Sequence, residues 1–78
     1  MEPSWDALRD HLGAMTVREL RGIGRRWFAG CLGGASTKAQ IVDEMVTQLR
    51  HWWHLPEGYG RDEVRNVLKD IDEEVLRP

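Results

Sequence analysis

Met15-Thr-Val-Arg-Glu-Leu-Arg-Gly-Ile-Gly-Arg-Arg-Trp-Phe28, an irregular run from Ala29 to Ala35, and Ser36-Thr-Lys-Ala-Gln-Ile-Val-Asp-Glu-Met-Val46 are the stretch whose reading decides the fold. It reads as helix, extended connection, helix. Each half opens on a hydroxyl residue suited to accept from the free amides of a helix start: Thr16 in the first, Ser36 or Thr37 in the second. With Thr16 as cap, Glu19 stands at the third helical position and completes a capping box. With Thr37 as cap, Gln40 takes the same role. Downstream, Ile41, Val42, Met45, Val46, Leu49, Trp52 and Trp53 lie at offsets 0, 1, 4, 5, 8, 11 and 12, a continuous apolar stripe at helical period.

Two more helices flank this centre. Ser4 can cap a first helix whose inner face is Trp5, Leu8, Leu12 and Met15, with Gly13 as its C-terminal stop. The loop Leu55-Pro-Glu-Gly-Tyr-Gly60 leads into a last helix beginning at Arg61 or Asp62, with Val64, Val67, Leu68, Ile71 and Val75 facing inward. Tyr59 is expected to fold back on the tryptophans. The fold expected is all-α: one domain of four helices over about residues 4–13, 17–28, 37–53 and 61–76.

The run Thr-Val-Arg-Glu-Leu-Arg, a gap ending in Gly33-Gly34, and Ser-Thr-Lys-Ala-Gln-Ile-Val together resemble the SAP domain and the related Rho-N and LEM helix-extension-helix modules. The resemblance covers about half of the chain, residues 15–53. For SAP and Rho-N domains it implies nucleic-acid binding at the start of the second helix, in the connection and at the start of the third helix. For LEM domains it implies a protein partner.

Composition narrows the alternatives. The 78 residues hold one cysteine, Cys31, so no disulfide forms within the chain. No apolar run is long enough to cross a bilayer, and the acidic start Met-Glu-Pro-Ser-Trp-Asp has no signal-peptide character. A cytoplasmic, membrane-free protein is expected. Net charge is −2 but unevenly placed. Residues 16–38 carry Arg18, Arg21, Arg25, Arg26 and Lys38 against Glu19, a local +4, and residues 57–78 carry a local −3.

Catalytic and metal chemistry find little support. No nucleophile, acid and base stand at a recognisable spacing, so no enzyme activity is expected. The three glycines of Ala29-Gly-Cys-Leu-Gly-Gly-Ala lack the Gly-Lys-Ser/Thr ending and the preceding strand of a phosphate loop. His51 and His54 with Cys31 are too few to complete a zinc site, and no cofactor is expected. Cys31 and Leu32 are read as inward anchors of the connection, and His11 as a surface or boundary residue. Gly22 and Gly24 each cost about 1 kcal/mol against alanine inside a helix. Close packing by a neighbouring helix or the Trp5 ring is the plainer explanation; approach of a phosphate or partner backbone is the other.

Two function classes remain. The first is a nucleic-acid-binding module contacting DNA or RNA phosphates through Arg21, Arg25, Arg26, Ser36, Thr37 and Lys38. The second is a protein-binding adaptor or small bacterial or phage inhibitor, or a homodimer. It would use Trp52, Trp53, Asp70, Glu73 and Glu74. Of the two tryptophans, one is expected in the core and the other half-exposed, because neighbours on a helix stand about 100° apart. A continuous positive patch favours the first class, and arginines paired with C-terminal acids favour the second.

Overall fold

A computed structural model describes residues 2–28, 37–56 and 58–76, with the backbone alone for 59 and 74–76. The described residues form four helices and no strand: α1 Trp5–Ala14, α2 Val17–Trp27, α3 Lys38–Trp53 and α4 Tyr59–Leu76.

The helix starts follow the hydroxyl residues. Ser4 Oγ accepts from the Ala7 amide at 3.3 Å. At α2, Thr16 Oγ1 accepts from the Glu19 amide at 3.1 Å and Glu19 Oε1 from the Thr16 amide at 2.9 Å, a full capping box. At α3 the cap is Thr37, with reciprocal bonds to Gln40 at 3.2 Å each. Each such cap satisfies amides that the helix leaves orphaned, a contribution of about 1 kcal/mol.

Two boundaries differ from the sequence reading. Gly13 lies inside α1, which runs on to Ala14 and ends at Met15 in extended backbone, its amide donating to Leu12 O at 3.1 Å. Burial of Met15 holds the chain in that extended turn. α4 begins at Tyr59, two residues before Arg61, and the Arg61 amide bonds Gly58 O at 3.1 Å. Gly60 is buried in that first turn, against the Trp52 carbonyl and the Leu55 side chain. Gly60 belongs to the helix rather than to the loop, and the position takes glycine because a Cβ would strike the Trp52 carbonyl oxygen.

α3 is the hub: α1, α2 and α4 all pack on it, and α2 also meets α4. It brings Ile41, Val42, Met45, Val46, Leu49 and Trp53 to the core. They meet Leu8, Leu12 and Met15 from the first segment, Leu20, Ile23 and Phe28 from the second, and Val64, Val67 and Ile71 from α4. Trp5, Trp27, Trp52 and Leu68 pack at its edge. Leu68 is thus half-buried, not part of the fully inner stripe. The core is wholly apolar: among the described residues no polar or charged side chain is buried, and no buried side-chain nitrogen or oxygen lacks a partner.

Candidate nucleic-acid interface

On α2 the core side is occupied by Leu20, Ile23 and Gly24, with Trp27 half-buried beside them. At about 100° per residue, Arg18, Arg21 and Arg25 share about 60° of arc on the face turned from the core. They are exposed, and none has a hydrogen bond or ion pair among the described residues. From Arg18 to Arg25 the strip is about 10 Å long at 1.5 Å per residue. Sequence reasoning placed Arg21 and Arg25 there and missed Arg18. The signal was available, since Arg18 stands seven residues before Arg25 and therefore on the same face.

Arg26 parts from them. It stands about 100° around the helix from Arg25, and its Nη2 lies 3.0 Å from Asp70 Oδ2. The same carboxylate oxygen accepts from Trp27 Nε1 at 2.8 Å. Arg26 and Trp27 border a shallow groove of about 370 Å³ with Asn66, Lys69, Asp70 and Glu73. The arginines of α2 therefore do not form one set: three face solvent on one strip and the fourth ties α2 to α4.

Thr37 and Lys38 stand at the start of α3. Thr37 is held in its capping box, and Lys38 is half-buried. The Glu19 carboxyl is held below its usual range, first by the Thr16 amide, then by the Thr16 hydroxyl, and further by the Lys38 charge. The Lys38 charge is thus close enough to act on Glu19. Ser36, Cys31, Leu32 and the glycines of the connection lie outside the described residues.

The residues of the protein-binding alternative are divided by the fold. Trp53 is the core member of the pair, 5% exposed, with the guanidinium groups of Arg61 and Arg65 over its ring at 5.4 and 5.6 Å. Arg61 Nε also donates to the Trp53 carbonyl at 3.4 Å, satisfying an end of α3. Trp52 is the half-buried one, stacked on Phe28 with centroids 5.3 Å apart and planes 9° from parallel. Its outer edge lines a small groove with Leu55, Gly60 and Glu63. Asp70 is taken up by Trp27 and Arg26, and Glu73 is exposed. The side chains of Glu74, Val75 and Tyr59 lie outside the described residues.

The histidines are peripheral. His11 Nδ1 is 3.6 Å from Asp72 and His54 Nε2 is 3.5 Å from Glu2, all at exposed positions. Among the described residues no three His, Cys, Asp or Glu side chains are grouped to hold a metal, and no helix is long and apolar enough to cross a membrane.

Comparison with known proteins finds no matching family model, no matching curated protein and no matching solved structure.

Proposed function

We propose that the chain is a small nucleic-acid-binding module, working in the cytoplasm without catalysis, that contacts the phosphate backbone through α2. Its helix-connection-helix centre resembles SAP and Rho-N domains. One observation carries the reading: Arg18, Arg21 and Arg25 share one exposed strip and have no acidic partner of their own among the described residues. A guanidinium offers a planar fork that matches phosphate oxygens two at a time. Cations left unanswered on a chain of net charge −2 mark where an external polyanion is attracted most strongly. Thr37 and Lys38, with Ser36, extend this surface in the proposal, and Arg26 acts as its tie to α4.

The contact is of the positioning kind. The strip presents charge and no row of amide side chains to read base edges, so binding is expected to depend little on sequence. Titration of labelled duplex DNA, single-stranded DNA and RNA by fluorescence anisotropy tests it. With three phosphates neutralised on duplex DNA, log affinity falls against log salt with a slope of roughly −3. Absence of binding to any of the three at low salt, by folded protein, would falsify the proposal. The protein-binding adaptor built around Trp52 and Glu73 would then be the better account.

A further inference from the structure

Gly22 stands at the centre of the arginines. Arg18 is one turn before it, Arg21 adjoins it, and Arg25 and Arg26 are one turn after it. It is an interior residue of α2, and by helical geometry it lies about 150° from the middle of the buried face. A Cβ built there would meet no described atom within 4 Å beyond its chain neighbours and the backbone of its own helix. Close packing by another described element, the plainer explanation of this glycine, is therefore not what the structure shows. Gly24, two residues on, is the buried one. Glycine in a helix interior is less stable than alanine, because it gives up more backbone freedom on folding. At Gly22 nothing within the described chain offsets that cost.

We propose that Gly22 is a notch for close approach: the sugar-phosphate backbone of a nucleic-acid strand seats directly on the α2 main chain there, between the guanidinium groups of Arg18 and Arg25. This deepens the nucleic-acid reading and rests on it. The occupant follows from charge. The notch is bordered by cations at the fourth residue before it and the third after it, with Arg21 beside it. Glu19 is the one acid in α2 and is engaged in the capping box at Thr16. A partner seated on a bare helix backbone ringed by guanidinium groups is an anionic polymer. Without a Cβ, a phosphate comes closer to the helix by about one C–C bond, about 1.5 Å. At that depth one phosphate is within reach of forks from two successive turns, which a side chain at residue 22 would prevent.

The inference separates stability from binding, so it has a signature that a structural role lacks. Gly22→Ala fills open space in a helix and raises the melting temperature, while lowering affinity for duplex or single-stranded DNA. Gly22→Leu, with a larger side chain, lowers affinity further, by about tenfold, as when one charge-assisted hydrogen bond to phosphate can no longer form. Both variants keep every arginine, so the weakening is steric. Anisotropy titrations at fixed low salt, beside thermal melts by circular dichroism, give the two readouts. Unmodified protein that binds while both variants bind within twofold of it would overturn the notch and leave the arginine strip standing. Unmodified protein that binds neither probe, nor RNA, would overturn the strip, and the notch with it. If Gly22→Leu melts early, Gly22→Ala decides: tighter folding with weaker binding supports the notch, and unchanged binding refutes it.

Discussion

The indole N–H of Trp27 donates to Asp70 Oδ2 at 2.8 Å, joining residues 43 apart in the chain at the seam of α2 and α4. Arg26 reaches the same oxygen. One half-buried carboxylate thus holds the two last polar groups of α2 and sets how that helix lies on α4.

Removing the acceptor while keeping the ring should expose the value of this tie. Asp70→Ala leaves a part-buried indole N–H without a partner and should cost about 1–2 kcal/mol. Asp70→Asn keeps an acceptor for the indole and should cost less. Urea unfolding of the two variants measures the difference; equal losses would mean that the charge of Asp70, and not the indole bond, is what matters.

Core positions should rank by burial. Ile41 is 1% exposed at the centre of the hub helix, and Ile41→Ala should cost about 2–5 kcal/mol. Leu68 sits at the core edge, and Leu68→Ala should cost clearly less than Ile41→Ala. On a 78-residue domain the first loss is a large share of total stability. Denaturant midpoints for the two variants give the ranking, and the reverse order would contradict the packing.

Glycines should respond in opposite directions. Gly13 lies within α1, and a Cβ there would meet no described atom within 4 Å beyond its chain neighbours and its own helix backbone, so Gly13→Ala should stabilise by about 0.5–1 kcal/mol. Gly60→Ala places its methyl carbon against the Trp52 carbonyl, which belongs to the backbone and cannot swing aside. It should destabilise, because the start of α4 must move away from the end of α3. Thermal melts of the pair decide; a stabilised Gly60→Ala would show that α4 does not start this close to α3 in solution.

Glu19 should make part of the stability depend on acid. Its carboxyl is held below its ordinary value of 4.5, chiefly by the Thr16 amide. A folded-state pKa lower than the unfolded one gives stability that is complete above about pH 4.5 and is lost as pH falls through the lower folded value. Glu19→Gln keeps the reciprocal bond to the Thr16 amide but does not titrate. The stability difference between the parent and Glu19→Gln should therefore shrink on acidification, as read from urea midpoints at a series of pH values. A difference constant through the acid range would deny the cap its charge.

The arginines should divide in binding. Arg18→Ala, Arg21→Ala and Arg25→Ala should each reduce the salt slope on duplex DNA by about one unit. Arg26→Ala should change stability more than slope, since its guanidinium serves Asp70. Slopes measured for all four variants test this; an equal reduction for Arg26→Ala would place it among the phosphate-binding arginines.

What the sequence determined by itself was local and periodic. Thr16 with Glu19, and Thr37 with Gln40, announce helix starts because a cap acts over three residues and needs no tertiary contact. The stripe from Ile41 to Trp53 announces the hub because helical period alone puts those side chains on one face. The all-α class followed from these. Tertiary structure alone decided what depends on neighbours distant in sequence. Trp53 rather than Trp52 is the core member, with Trp52 half-buried against Phe28, a choice that helical period leaves open because the stripe includes both. Arg26 left the basic set because Asp70 lies across the α2–α4 seam. Gly60 moved from loop to helix, and the first helix ran one residue past Gly13, in turns shaped by the Trp52 carbonyl and by buried Met15. Charge and spacing along the chain give the inventory of cations; which of them are left to a partner is a property of packing, since only folding brings Asp70 to Arg26 while Arg18, Arg21 and Arg25 meet no acid among the described residues.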